Sequence, residues 1–191
     1  MTNGVFSEFE VKNSAVKWHG SDETGPAEKL GCVGSLDETM NTKVISKTCE
    51  GVISKQVTKG DGTGELKVNL HMKYDIFKKA FGQEFDTLKK GVLAYGRNSV
   101  HKHFTYTNEV IDEDGEKKLT AYPDCVVTSG IAHKIENGAD TVAEVELTIG
   151  VSPDEHGNGR YEALVSDIDD ENLKEQWLTN FTPELVRLVN V

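Results

Sequence analysis

The sequence predicts a mainly β protein, either a β-sandwich or a partly closed β-barrel, with one flanking α-helix and a long protruding hairpin. Apolar and polar residues alternate along several segments, which is the pattern of half-buried strands. Turn-forming residues separate these segments, and only one short stretch shows clear helical spacing. The 191 residues are enough for one well-buried core, so we expect a single domain over 1–191.

The first strand is predicted near the N-terminus, where alternate residues share one face: Val5, Ser7, Phe9 and Val11. It continues through 15–18 and is followed by an extended surface loop at about 19–29, which is rich in turn formers and has no periodicity. The chain is β-rich again over 44–57, with Gly51 as a bend, and the glycines of 59–64 predict a turn into the next strand.

The clearest strand runs over 65–73, because every second residue is apolar: Leu66, Val68, Leu70 and Met72. Glu65 lies on the opposite, polar face. A short helix follows, in which Asp75 can cap the first turn and Gly82 suits the C-terminal end. Its apolar stripe consists of Ile76, Phe77, Ala80 and Phe81.

A long hairpin is predicted at about 100–127, with strands on either side of the polar tip 112–116. Its aromatic residues fit a core and an interface equally well, since strands favour aromatics and interfaces are enriched in them. Because a protruding hairpin needs a partner, we take five of its residues as the candidate assembly interface: Phe104, Tyr106, Val110, Ile111 and Tyr122.

The C-terminal third predicts one more hairpin, one strand and a second helix. The segment 131–136 reads as a strand closed by an Asn137-Gly138 turn, and alternation over 143–151 places Glu144 and Glu146 on a polar face. A second helix is expected over 169–177. The apolar end of the chain, 178–191, is expected to dock on the protein or on a neighbour.

Charge and composition exclude several classes of function. The formal net charge of −11 disfavours tight binding to nucleic acid, whose phosphates would be repelled. Three scattered cysteines argue against a disulfide framework and favour a reducing compartment. We expect neither membrane insertion nor secretion, because the sequence has no long apolar run and no basic-then-apolar leader.

No pattern in the sequence predicts an enzyme or a cofactor. His101 and His103 could share a metal, with His71 or His133 as a third ligand, but this spacing is common and no carboxylate or cysteine matches it. The glycines of 60–64 resemble a phosphate-binding loop, yet a strand follows them where such loops need a helix. We therefore predict no catalytic, cofactor or metal residues.

The order of elements resembles the major tail protein of long-tailed bacteriophages, the subunit of the tail tube. The resemblance covers nearly the whole chain and is carried by four segments: the capped helix 75–82, the strand 91–95, the large hairpin 101–127 and the stretch 177–183. The family is recognised by pattern and length more than by signature residues.

The resemblance implies a structural virion protein that self-assembles into hexameric rings, which stack into a hollow tail tube for DNA ejection. The expected partners are further copies of itself and the tape measure, distal tail and terminator proteins. Assembly would take place in the bacterial host cytoplasm, and the protein would end in the virion tail. Such tubes have acidic inner walls that DNA passes without adhering, so we take Glu65, Glu144 and Glu146 as candidates for the lumen face.

Three alternatives remain open at this stage. The chain could be a related tube or tail component, such as a type VI secretion tube, a tail terminator or a distal tail protein. It could also be a carbohydrate-binding β-sandwich, which would need an exposed Trp18 or Trp177 to stack on sugars. The third alternative is a small β-barrel enzyme that uses His101 and His103 as metal ligands.

Overall fold

The computed structural model describes residues 5–20, 25–138 and 140–188. The elements in chain order are β1 (Glu8–Trp18), β2 (Glu28–Lys29), β3 (Gly31–Cys49), β4 (Val52–Met72), α1 (Tyr74–Ala80), β5 (Phe104–Asp112), β6 (Lys117–Val127), β7 (Val145–Ser152), β8 (Tyr161–Leu164) and α2 (Glu171–Asn180). Short 3₁₀ turns cover Val165–Asp167 and Pro183–Val186. The prediction of a mainly β fold with a flanking helix is confirmed.

All eight strands belong to one antiparallel sheet, in the order β2-β1-β5-β6-β7-β4-β3, with β8 paired to β6 beside this path. The sheet curves until its two ends meet, and the backbone amide of Leu30, just before β3, donates to the carbonyl of Ser14 in β1 at 3.0 Å. Side chains on the concave face are therefore enclosed as in a partly closed barrel.

The main core fills the concave face of this sheet. The alternating residues of β4 point inward as predicted, and Leu66, Val68 and Leu70 are fully buried. Helix α1 covers one opening with its predicted stripe, which includes Phe77 and Phe81. The residue at its N-cap is Lys73 and not the predicted Asp75, which lies in the first turn. Gly82 takes the expected positive φ after the helix.

A smaller core lies on the convex face, between β6 and the C-terminal elements. Trp177 of α2 packs against Phe181, and both are buried together with Leu119 of β6. The predicted second helix is present as α2, and Asp170 caps its N-terminus, because the Asp170 side chain accepts hydrogen bonds from the amides of Asn172 and Leu173. The segment after α2 packs against this smaller core through Phe181 and Val186, whereas Leu188 is exposed. Its last three residues, 189–191, lie outside the described part of the chain.

Three predicted local elements are wrong, each for a local reason. The predicted turn 59–64 lies within β4, where residues 61–63 oppose Asn41 alone and so form a bulge. The predicted strand 91–95 begins in a turn, since the Val92 amide donates to the Lys89 carbonyl at 3.0 Å, and its residues 92–95 have no regular secondary structure.

The third error is the predicted strand 131–136, which leaves the sheet after Thr128 and Ser129 bond to the Thr148 carbonyl. Asn137 and Gly138 do form a turn, but it joins no pair of strands. The predicted loop 19–29 contains the short strand β2, and its residues 21–24 lie outside the described part of the chain.

Candidate functional site

The five predicted interface residues do not form an outer surface. The hairpin they belong to exists as β5 and β6 with the predicted polar tip, yet it lies in the middle of the sheet. Phe104, Tyr106 and Tyr122 are at most 2% exposed and belong to the main core, Val110 is 8% exposed, and Ile111 is half-buried. As an exposed assembly surface this set is wrong, because both strand neighbours and both sheet faces cover it.

The hydroxyl groups of the two tyrosines in this hairpin are also buried. Tyr106 is hydrogen-bonded to Ser14 at 3.0 Å inside the core, and burial raises its pKa to about 12. Burial likewise raises the pKa of Tyr122, whose ring stacks on that of Tyr106. These tyrosines are structural parts of the core and offer no group to a partner.

The protruding hairpin is a different one, formed by β3 and β4. Strand β4 pairs with β7 from Gly64 to Leu70, so on the N-terminal side of Gly64 its only strand neighbour in the described part of the chain is β3. We call residues 41–62 the arm. All of its side chains are exposed except that of Val57, which is half-buried. The arm therefore contributes nothing to either core and leaves both outer strand edges unpaired among the described residues.

Four lysines form one face of the arm. The register pairs Lys43 with Lys59 and Lys47 with Lys55, and residues paired in this way point to the same face of the ribbon. None of the four forms an ion pair with another described residue. Like charges directly opposite one another destabilise a sheet, so this face is suited to an anionic partner.

The arm also exposes large apolar side chains. Val44, Ile45, Val52 and Ile53 are each between 50% and 69% exposed. An isolated two-stranded ribbon is marginally stable in water, and exposed apolar groups on unpaired strands are typical of surfaces that bind another chain. Together with the lysine pairs, these groups make the arm the strongest candidate for a functional surface.

The three predicted acidic residues do lie on an exposed face. Glu65 of β4 and Glu146 of β7 alternate with buried neighbours and point outward, and Glu144, just before β7, continues the same alternation. The Glu144 carboxylate lies against Gly34, where a β-carbon would collide with it. Lys67 Nζ lies 3.8 Å from Glu65 Oε1 and partly neutralises the negative charge of this face.

A second concentration of acids occurs where the β5–β6 turn meets the segment before α2. Ser166 donates a hydrogen bond of 2.6 Å to Glu116, which joins the two segments. We call this region the acidic end, and it comprises Glu113, Asp114, Glu116, Asp167, Asp169, Asp170 and Glu171. All but Glu116 are exposed.

His101 and His103 point to different partners. Both ring nitrogens of His101 are engaged, Nδ1 with the Val127 carbonyl at 2.6 Å and Nε2 with the Tyr95 hydroxyl at 3.1 Å. His103 Nδ1 lies 2.7 Å from Asp124. The two imidazoles therefore serve as hydrogen-bonding groups at separate positions.

We expect the double substitution of His101 and His103 by Ala to leave the response of the melting temperature to metal the same as in the parent. A bound metal stabilises the folded state by mass action. Both ring nitrogens of His101 are engaged, and His103 is paired with Asp124 at a separate position, so the two do not form a shared site. Thermal denaturation with zinc and with a chelator, in parent and variant, checks this. Loss of a metal response in the variant would contradict it.

A cavity of about 500 Å³ lies between the sheet and the C-terminal segment. On one side, His19 Nε2 lies 3.0 Å from Thr105, whose hydroxyl donates to the Pro123 carbonyl. In the neutral imidazole the hydroxyl oxygen accepts from Nε2–H, and the Nδ1 lone pair then faces Asp124 at 3.7 Å. Burial lowers the pKa of His19, although Asp124 opposes this effect.

The opposite side of the cavity carries a second group of titratable residues. Glu155 and Glu184 line the wall, and His156 lies beside both of them. A hydrogen bond from its own backbone amide lowers the pKa of the Glu184 carboxyl, and His156 contributes in the same direction. Neither the cavity nor this group follows from the sequence pattern, because the residues come from a loop and a distant 3₁₀ turn.

The tryptophans do not provide a sugar-binding platform. Trp18 is 5% exposed and Trp177 is 2% exposed. Each lies in a core, packed edge-on against Phe104 or tilted against Phe181. The carbohydrate-binding alternative required one of them at the surface, so the structure removes its basis.

Comparisons with known proteins leave the family open. No protein-family model matches the chain, and a search of curated proteins finds no significant match. Among the described residues, no helix has the length and apolar character needed to cross a membrane. Three surfaces of the molecule therefore bear on its function: the arm, the exposed acidic face and the acidic end.

Proposed function

We propose that the protein is a structural subunit that self-assembles into hexameric rings and stacks into the hollow tube of a phage tail. The observation that carries this proposal is the arm, residues 41–62, which is built as a sheet. Among the described residues it meets the rest of the chain only at its base, where Gly62 lies against Pro153 and Gly157. A ribbon with unpaired edges and exposed apolar side chains gains stability when another chain covers it.

Charge supports a second copy of this chain as the partner. The arm contains four lysines against Glu50 and Asp61, in a chain whose formal net charge is −11. The rest of the protein is therefore strongly acidic, and the acidic end offers the carboxylates that the lysine face lacks. Complementary patches of this kind attract and orient the two partners.

The direction of the strands favours a ring. Gly64 of β4, Val151 of β7 and Cys125 of β6 lie side by side, so the arm and the β5–β6 turn project toward the same end of the sheet. An arm that reaches the acidic end of a neighbour joins two different patches, and repetition of such a contact closes into a ring when the rotation allows it.

The acidic exterior supports the role of a DNA conduit. Glu65, Glu144 and Glu146 share an exposed sheet face, and a wall of carboxylates repels phosphates. DNA would then pass through the tube without adhering. The partners at the tube ends would be the tape measure, distal tail and terminator proteins, and the assembled protein would reside in the virion tail.

We expect the purified protein to form rings or tubes at high concentration. Light scattering follows the increase in mass, and negative-stain electron microscopy shows the shape and the rotational symmetry. A protein that stays monomeric after prolonged incubation and seeding would contradict the proposal. Closed rings that never stack would instead indicate a related tail component such as a terminator.

A further inference from the structure

We propose that Glu155, His156 and Glu184 form a zinc-type metal site at the mouth of the cavity beside the C-terminal segment. One ligand atom from each residue can be chosen so that all three lie within 4.8 Å of one another. The loop that carries Glu155 and His156 lies beside Gly62 at the base of the arm, but the three residues are outside the arm and the site does not depend on the proposed assembly.

The two distances from the His156 ring to the carboxylates are close to the distance between two ligands of one metal ion. His156 Nε2 lies 3.6 Å from Glu155 Oε1 and 3.9 Å from Glu184 Oε1. Both distances are longer than an N–H···O hydrogen bond, which measures about 2.7–3.2 Å. Two ligands at about 2.0–2.2 Å from a tetrahedral zinc ion stand about 3.4 Å apart. Shortening the two distances from His156 by a few tenths of an ångström, and turning the two carboxylates, which lie within 4.8 Å of each other, toward a common point, would produce coordination distances.

The loop that presents His156 is tightly built. The Asp154 carboxylate accepts hydrogen bonds from the amides of His156 and Asn158, both at 2.9 Å, and from the Tyr161 hydroxyl at 2.5 Å. Asp154 is thus occupied in holding the turn and is not counted as a ligand. Glu184 comes from the 3₁₀ turn Pro183–Val186, so a bound ion would join two separate segments.

The chemical types of the three ligand atoms indicate which metal ion the site would bind. One imidazole nitrogen and two carboxylate oxygens suit zinc, and three protein ligands leave a fourth tetrahedral position open to water. The two carboxylates also balance the charge of a divalent cation. Magnesium prefers six oxygen ligands in octahedral geometry, so the imidazole makes this set unfavourable for it.

The test is isothermal titration of the purified protein with Zn²⁺ and, separately, with Mg²⁺, combined with melting curves in the presence of each ion. We expect one Zn²⁺ per chain, a higher melting temperature with Zn²⁺ and no response to Mg²⁺. Acidification should weaken zinc binding, because protons compete with the metal for the same atoms.

Two variants test the ligands directly. His156→Ala and Glu184→Gln should each weaken zinc binding by about tenfold or more, since loss of even a group that only hydrogen-bonds to a metal ligand costs about 10–100-fold. His103→Ala is the matched control, because His103 is also an exposed histidine beside a carboxylate, and it should bind zinc like the parent.

Three results would overturn the proposal. These are no zinc binding at millimolar concentration, zinc binding that His156→Ala leaves unchanged, and equal loss in His156→Ala and His103→Ala. Circular dichroism of each variant verifies that the fold is retained. All three ligands are exposed, so their substitution is expected to leave folding intact.

Discussion

Shortening the arm should abolish ring and tube formation while leaving the protein folded. The variant joins Thr42 to Gly60, which are paired in the parent, through an Asn-Gly turn. This dipeptide suits a two-residue hairpin connection. No residue of the deleted segment is buried, so the main core and the register of the remaining sheet are retained. Assembly loses the exposed apolar side chains and the lysine face in one step.

A second variant separates the effect of the arm's charge on assembly from the effect of its shape. Replacing Lys43, Lys47, Lys55 and Lys59 by Gln keeps the ribbon and removes the repulsion between opposite lysines, so the free energy of unfolding should not fall. We nevertheless expect this variant to assemble far more weakly than the parent. Assembly of the parent should itself weaken as salt is added, because salt screens exposed charges over about 10 Å at 0.1 M.

A matched control changes four exposed lysines elsewhere: Lys29, Lys89, Lys90 and Lys134. The same substitution by Gln alters the net charge equally and should leave assembly as in the parent. Sedimentation and electron microscopy give the assembled fraction, and circular dichroism gives the fold. If the shortened arm still supports rings, the arm is not the assembly surface.

Alternation along the strands was sufficient to predict the core. In residues 66–72 of β4 and in β7 every second residue is apolar, and burial of Leu66, Val68, Leu147 and Ile149 follows from that pattern. The outward direction of Glu65 and Glu146 follows from the same alternation, since successive side chains of a strand point to opposite faces. The helix α1 could also be predicted, because its apolar stripe meets the opening of the curved sheet.

The position of the protruding hairpin could not be predicted from pattern alone. The segment 100–127 contains many polar residues, yet strands on both sides and both sheet faces enclose it. Among them, Asn108 and Thr120 are buried and hydrogen-bonded to each other. Burial of this kind depends on which strands become neighbours, and the order of strands in a sheet is a long-range property.

The arm carried a signal that pattern reading missed. Glycines at 60, 62 and 64 predicted a turn. Instead, residues 61–63 form a bulge opposite Asn41, Gly60 and Gly64 pair with β3 on either side of it, and β4 continues. Gly51 takes a positive φ at the true tip. The lysines on either side of it, at equal distances from the tip, already indicated a hairpin with one charged face.

Reversing the charge of the outer sheet face should create binding to DNA that the parent is expected to lack. The variant replaces Glu65, Glu144 and Glu146 by Lys, which places three lysines beside Lys67 on one exposed face. Because exposed substitutions usually change stability by no more than about 0.5 kcal/mol each, we expect the fold to persist. Binding should appear at low salt and disappear as salt is raised.

The salt dependence distinguishes phosphate contacts from other effects. Each phosphate that a lysine neutralises releases counterions, so the logarithm of the binding constant falls with the logarithm of salt concentration at about 0.9 per contact for duplex DNA. Three or four contacts predict a slope of about three on this scale. Fluorescence anisotropy of labelled duplex DNA over a salt series measures it.

Two control sets separate position from total charge. Replacing the same three glutamates by Gln removes the repulsion without adding attraction, and it should give little binding. Reversing Asp86, Glu136 and Asp140, which are exposed acids outside the sheet, changes the net charge by the same amount. If these scattered reversals bind DNA as tightly as the clustered set, net charge alone governs adhesion and the face has no special role.

The assembled form gives the decisive measurement for the proposed conduit. If the reversed face lines the channel, tubes of the Lys variant should retain DNA at low salt and release it at high salt, while parent tubes retain none. If tubes form and the clustered reversal changes neither retention nor release, Glu65, Glu144 and Glu146 do not line the channel. In that case the acidic charge on this face acts through solubility, since like charges keep separate particles apart.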